Sequence, residues 1–71
     1  MDKFGEKLRL LRQRRGLSQG ELAAMIGVNQ TYVGKMERGE KIPNVAMVLK
    51  IADVLSITPN QMMLDNVELD N

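Results

Sequence analysis

Two helical patterns separated by a short break that contains glycine place the strongest constraint on the fold of this chain. The segment of residues 21–39, "ELAAMIGVNQTYVGKMERG", carries apolar residues at helical spacing up to Ile26, and a helical pattern resumes after Asn29. Gly27 suits a backbone position with positive φ, and Asn29 is a good capping residue for the second helix. Because so short a turn fixes the angle between its helices, the segment predicts two short helices that cross steeply over one core.

Apolar spacing and capping residues predict the other helices. A first helix ends at Gly16, a second begins with the capping box of Ser18 and Glu21, and Asn44 caps a fourth. The stretch "SITPNQMML" predicts a turn and a short closing helix capped by Thr58. The expected inward positions are Phe4, Leu8, Leu11, Leu22, Ala23, Ile26, Val28, Val33, Met36, Val45, Val48, Leu49, Ile51, Ala52 and Leu55. We therefore predict an all-α fold, a compact bundle of five short helices.

The composition excludes several classes of function. A chain of 71 residues has room for one domain with one modest core. It contains no cysteine and no histidine, which excludes disulfides and the usual zinc sites and removes the side chains of most nucleophile–base pairs. The six glycines are scattered singly, so no glycine-rich phosphate loop is present. We expect no enzymatic activity, no metal and no cofactor.

Charge is distributed unevenly along the chain. Residues 1–41 hold nine Lys/Arg and five Asp/Glu, whereas residues 42–71 hold one and four. The basic run at Arg14 and Arg15 also fits a simpler role, a solvated helix end whose cations complement the helix dipole.

The opening "DKFGEKLRLLRQRRG" is charged throughout, unlike a secretory leader, and no apolar run approaches the roughly 18 residues of a spanning helix. We expect a cytoplasmic protein without membrane association.

The order and spacing of several short motifs resemble one known family. The stretch "LSQGELAAMIGVNQTYVGKMERGEKIP", followed by "LKIADVLSIT", is similar to the Xre/Cro-type, phage-repressor-like helix-turn-helix proteins. The resemblance implies a DNA-binding domain over residues 1–64, followed by an acidic tail, residues 65–71, that we expect to fray. It also implies that the second helix lies over the DNA backbone while the third enters the major groove. The implied function is a transcriptional regulator, a repressor that binds a palindromic double-stranded operator as a homodimer.

The resemblance assigns DNA contacts to individual positions. Base edges are expected to be read by Gln30, Thr31, Lys35 and Tyr32, with core packing as the alternative for Tyr32. Phosphates are expected to be contacted by Gln19, Asn29, Arg38, Lys41, Asn44 and Arg12. Arg12 and Glu37 match an ion pair of the family, so Glu37 is expected to be structural and Arg12 to serve both roles.

Two positions depart from the family pattern. Gly34 stands where a helix former is expected and costs roughly 0.5–1 kcal/mol relative to alanine. Two interpretations stay open for this glycine. It allows a close approach to DNA or to another helix, or it has no special role. Glu40 replaces the basic residue of many relatives and is expected to weaken attraction to the DNA backbone.

The dimer face and the biological role leave alternatives open. The resemblance places the dimer interface on the fourth helix and the segment after it, at Val54, Ile57, Met62, Met63 and Leu64. An antitoxin or a restriction-modification controller has the same fold and also binds DNA. A third alternative is a helix-turn-helix that docks on a partner protein, which predicts little salt-dependent DNA binding.

Overall fold

Four α-helices surround one core in the computed structural model, which describes residues 4–58. These are α1 (Phe4–Arg14), α2 (Gln19–Ile26), α3 (Gln30–Glu37) and α4 (Val45–Leu55). The all-α prediction is confirmed, but with four helices in this part of the chain rather than the five predicted. The predicted closing helix after Thr58 and the acidic tail lie outside the described residues.

The core is built from apolar stripes of all four helices. Its buried members are Phe4, Leu8, Leu11, Leu22, Ala23, Ile26, Val33, Met36, Val48, Ile51, Ala52 and Leu55, with Val28 packed against them. Two predicted inward positions are wrong, because Val45 is 62% exposed and Leu49 is 49% exposed. Since α4 packs mainly against α2, only one face of α4 is covered, and Val45 and Leu49 lie beside that face, one turn apart.

The structure confirms the predicted helix caps at Ser18, Asn29 and Asn44 and the predicted turn at Gly27. The capping box is complete, since the Glu21 backbone N–H donates to Ser18 Oγ (3.0 Å) and the Ser18 N–H donates to Glu21 Oε1 (2.7 Å). Asn29 and Asn44 cap α3 and α4 through their side-chain oxygens. Gly27 has φ of 78°, in the left-handed region, where a side chain is disfavoured. This turn orients α3 across α2.

A glycine in α1 brings the start of that helix directly onto the end of α3. A Cβ built on Gly5 would lie 2.6 Å from the carbonyl oxygen of Met36 and closer still to that of Glu37. Because backbone atoms cannot move aside as a side-chain tip can, only glycine fits here. This contact fixes the end of α3 relative to α1, and with it the charged residues described below.

Candidate nucleic-acid interface

Helix α3 divides into a buried face and an exposed polar face. Val33, Gly34 and Met36 are buried, whereas Gln30, Thr31, Lys35 and Arg38 are exposed. Tyr32 lies apart from this exposed group, since it is half-buried and packs against the core. The structure therefore brings three of the four predicted base-contacting residues together on one accessible surface, and it favours core packing as a role for Tyr32.

The predicted phosphate-contacting residues differ widely in exposure. Asn29, Asn44, Arg38 and Lys41 are exposed, Gln19 is half-buried, and the Arg12 side chain is only 11% exposed. The two asparagine oxygens accept backbone hydrogen bonds, from Tyr32 N at 2.9 Å and from Met47 N at 2.8 Å. The asparagine oxygens therefore cap the first turns of α3 and α4, and the phosphate contacts expected of these two residues stay a prediction.

The carboxylate of Glu37 joins three helices. It accepts hydrogen bonds from Arg12 Nε (2.6 Å, to Oε2), from Arg12 Nη2 (3.2 Å, to Oε1) and from Gln19 Nε2 (3.1 Å, to Oε1). Arg12 Nη1 also donates to the carbonyl oxygen of Leu17 at 2.7 Å. Glu37 is 4% exposed, and charge-assisted hydrogen bonds of this kind are strong when little water competes. The ends of α1 and α3 and the start of α2 are thereby held in one arrangement.

Beside Glu37 lies an open polar cleft of about 220 Å³ where these helix ends meet. Its lining consists of Arg9, Arg12, Gln13, Gln19, Glu37 and Arg38. Three guanidinium groups and two amides supply many N–H donors, and the one carboxylate is largely occupied by Arg12 and Gln19. Sequence reasoning missed Arg9 and Gln13. The available signal was the position of Arg9 on α1, three residues before Arg12 and four before Gln13, because residues three or four apart share a helix face.

A second arginine–glutamate pair lies on the surface just after α3. Gly39 has φ of 79°, and the backbone N–H groups of Gly39 and Glu40 donate to the carbonyls of Met36 and Lys35, which is the Schellman ending of a helix. This turn brings Glu40 back to Arg38, whose Nε and Nη2 lie 2.9 and 3.5 Å from its two carboxylate oxygens. The hydrogen bond with Arg38 and the positive charge of Arg38 lower the pKa of Glu40. The same hydrogen bond and the negative charge of Glu40 raise the pKa of Arg38.

The side-chain ends of Arg38 and Gln19 lie close to Gly34 of α3. A Cβ at this position would be 3.1 Å from Arg38 Nη1 and 3.7 Å from Gln19 Oε1. The absence of a side chain thus lets both polar groups rest close to the α3 backbone. The groups that lie close to Gly34 are thus side chains of the same molecule, and an approach of DNA to this glycine stays a prediction.

The described residues contain no sign of a metal centre or a membrane segment. No three acidic side chains within residues 4–58 group closely enough to hold a metal ion. None of the helices α1 to α4 is long and apolar enough to cross a membrane.

Comparison with known proteins agrees with this architecture. A family model described as Helix-turn-helix matches residues 8–62. The transcriptional regulator YazB of Bacillus subtilis, itself uncharacterised, is 30% identical over 59 residues, which cover 83% of this chain and 86% of YazB. Several other curated relatives are longer, and the chain spans less than half of their length.

Two solved structures have the same fold. The restriction-modification controller protein C.AhdI of Aeromonas hydrophila is 42% identical, with a TM-score of 0.81 and coverage of 87% of this chain and 90% of that one. The P22 c2 repressor protein in complex with a synthetic operator is 27% identical, with a TM-score of 0.83 and coverage of 89% and 96%. The chain therefore belongs to the Xre/Cro-type helix-turn-helix family of DNA-binding transcriptional regulators.

Proposed function

We propose that this chain is a cytoplasmic repressor that binds a palindromic operator as a homodimer and inserts α3 into the major groove. The exposed polar face of α3 carries the proposal, because Gln30, Thr31 and Lys35 stand together on a helix whose opposite face is fixed in the core. A helix fits the width of the major groove, where each base pair presents a distinct pattern of donors and acceptors. The P22 c2 repressor, which has the same fold, was solved on operator DNA.

The three exposed side chains suit different base edges. Glutamine can pair bidentately with adenine, lysine can donate to guanine, and the methyl group of threonine can contact that of thymine. Lys35 lies one turn after Thr31, so its longer side chain reaches a different part of the groove. We propose that these residues select the operator sequence.

The cleft beside Glu37 supplies phosphate contacts that set the register of α3. Gln19 uses one amide N–H on Glu37 and retains a second, because a primary amide carries two. Arg12 donates to Glu37 and Leu17 through three of its five N–H groups. We propose that the remaining donors of both residues, together with Arg9, hold one backbone phosphate at the edge of the groove.

A homodimer follows from the small size of one module. A single helix-turn-helix buries little groove surface, and tight operator binding then requires two modules on one duplex. Of the predicted interface residues, Val54 and Ile57 are half-buried and pack against the core, and Met62, Met63 and Leu64 lie outside the described residues. Val45 and Leu49 are exposed apolar residues on the other flank of the buried stripe of α4, and we propose that the second subunit covers them as well. Leu49→Glu is expected to shift the protein towards monomer in analytical ultracentrifugation, whereas Lys50→Glu, a charge change at the adjacent exposed position, is expected to have less effect.

Selection of binding sites from random duplex DNA tests the function directly. An enriched palindrome is the expected result, and the spacing of its half-sites gives the separation of the two α3 helices.

Lys35→Ala should then lower affinity for the selected operator about tenfold or more while barely changing affinity for random duplex. Lys50→Ala, which removes an exposed lysine of α4, is the matched control. If the wild-type protein binds no duplex in a salt-dependent way, the protein-docking alternative is the better account.

A second candidate within the same mechanism is control of a restriction-modification system. The 42% identity to C.AhdI favours it. This candidate predicts genes for a restriction endonuclease and a methyltransferase next to the gene of this protein, with the selected palindrome in their promoter region. If the neighbouring genes are unrelated to restriction and modification, this candidate is excluded and the general repressor remains.

A further inference from the structure

Glu40 forms an ion pair with Arg38, the exposed arginine that directly follows α3. The Schellman turn at Gly39 folds the chain back so that both carboxylate oxygens of Glu40 face one edge of the Arg38 guanidinium, Nε and Nη2. Arg38 is exposed, lies on the same side of α3 as Lys35, and also lines the basic cleft beside Glu37. Arg38 lies between the exposed polar face of α3 and that cleft, and it is already paired within the protein.

A carboxylate and a phosphate compete for the same donors. The fork of N–H groups on a guanidinium fits either anion in a bidentate manner, and one edge binds one anion at a time. We infer, on the basis of the proposed function, that Glu40 limits DNA affinity by competing with a backbone phosphate for Arg38. A phosphate must displace the Glu40 carboxylate or accept the less favourable contact that the other edge of Arg38 offers.

The exposure of the pair makes this exchange feasible. The side chains of Arg38 and Glu40 are 57% and 54% exposed, so water already solvates both ions and neither is left buried when they separate. The position of Arg38 does not depend on Glu40 alone, because its Nη1 rests against Gly34. Once Glu40 is neutral, the Nε edge of the guanidinium becomes available to DNA.

Two substitutions with the same charge change separate competition from general electrostatics. Glu40→Gln and Asp53→Asn each remove one negative charge, and Asp53 is an exposed residue of α4. Fluorescence anisotropy on the selected operator and on random duplex, over a series of salt concentrations, measures both affinity and its salt dependence. Glu40→Gln is expected to raise affinity for both duplexes about fivefold at low salt and to steepen the slope of log affinity against log salt by about one unit per site. Asp53→Asn is expected to leave the slope unchanged.

The double variant Glu40→Gln/Arg38→Ala tests whether the effect depends on Arg38. On the Arg38→Ala background, Glu40→Gln is expected to lose its effect on the salt slope, because no guanidinium remains to be released. Thermal unfolding of Glu40→Gln without DNA is expected to stay close to wild type, with at most a small loss of stability, which separates the gain in affinity from any large change in folding.

The outcomes distinguish this inference from the proposed function. If Glu40→Gln and Asp53→Asn behave alike while the wild type binds its operator and Lys35→Ala lowers the operator preference, the competition is overturned and the proposed function stands. If Glu40→Gln steepens the slope equally on the Arg38→Ala background, Glu40 acts by repulsion alone and the inference is also overturned. If the wild type binds no duplex, both fail together.

Discussion

Two arginine–glutamate pairs lie within a few residues of each other at the end of α3, and their surroundings make them very different. Arg12 and Glu37 are separated by 25 residues in sequence and are 11% and 4% exposed. Arg38 and Glu40 are two residues apart and more than half exposed. The Nε to carboxylate distances are similar, 2.6 and 2.9 Å. Distance alone therefore does not distinguish a pair that holds the fold from one that is open to exchange.

Burial and sequence separation explain the difference. Loss of one partner from the buried pair leaves the other ion with few alternatives, because water has little access and Gln19 is bound to the same carboxylate. Loss of one partner from the exposed pair leaves an ion that water solvates. The first pair connects α1 to α3, whereas the second only spans the turn that ends α3. The same chemistry thus serves structure at one site and is available for binding at the other.

Glu37→Gln should produce the largest effect on folding. It keeps the shape of the side chain but removes the charge that balances Arg12, and breaking a buried pair in this way costs about 3 kcal/mol or more in free energy of unfolding. Urea denaturation of this variant beside Glu40→Gln gives the direct comparison, and Glu40→Gln is expected to be close to wild type. Equal stability of the two variants would remove the distinction between the pairs. Unchanged folding of Glu37→Gln with loss of operator binding would make Glu37 a functional residue instead.

Gly5→Ala tests the docking of α1 on α3 without any change of charge. Its Cβ would overlap the carbonyl oxygens of Met36 and Glu37, so we expect a loss of about 1–3 kcal/mol in the free energy of unfolding. Gly20→Ala is the matched control in α2, where the nearest atom is the side-chain oxygen of Gln30 at 3.3 Å. Because that exposed side chain can move, Gly20→Ala is expected to gain roughly 0.5–1 kcal/mol from helix propensity. Differential scanning calorimetry should show melting temperatures that move in opposite directions.

Gly5 also shows which parts of the structure the sequence could predict. Local signals were sufficient for the capping box at Ser18 and the left-handed turn at Gly27, because the groups involved are neighbours in sequence. The close approach at Gly5 depends on a residue more than thirty positions away, and a lone glycine in a helical pattern does not identify its contact. The exposure of Val45 and Leu49 had the same origin, since spacing locates an apolar stripe but not how much of it a neighbouring helix covers.

The candidate site was predictable to a similar degree. The exposed face of α3 followed from helical spacing, and the pairing of Arg12 with Glu37 was expected from family resemblance rather than from the residues themselves. That Glu37 also accepts a hydrogen bond from Gln19 was not expected, because it depends on the angle between α1, α2 and α3. The pairing of Glu40 with Arg38 depends on side-chain positions within a turn, which neither spacing nor composition determines.

Gly34→Ala should have a smaller effect, of the opposite sign to Gly5→Ala. The atom nearest to its Cβ, at 3.1 Å, is the tip of the exposed Arg38 side chain, which can shift by rotation. The gain in helix propensity is therefore expected to dominate and to raise the free energy of unfolding by about 0.5 kcal/mol. Chemical denaturation checks the sign. A loss of stability as large as that of Gly5→Ala would show that Arg38 is held as rigidly as Arg12, and the two pairs would no longer differ in kind.

Acidification should produce the smallest of these effects, a change in the stability that the exposed pair of Arg38 and Glu40 contributes. The pKa of Glu40 is lowered by Arg38 in the folded protein and is ordinary in the unfolded chain, so the pair stabilises the fold at neutral pH. That contribution is lost as pH falls through the lowered pKa, where Glu40 becomes protonated in both states. The difference in free energy of unfolding between wild type and Glu40→Gln should therefore be small and positive at neutral pH and should decline towards zero on acidification. Urea titrations of both proteins across the acidic range measure this difference, and Asp53→Asn, which removes another exposed carboxylate, is the control. If the difference instead grew as pH fell, the charged form of Glu40 would be the destabilising one, and its pairing with Arg38 would not exist in solution.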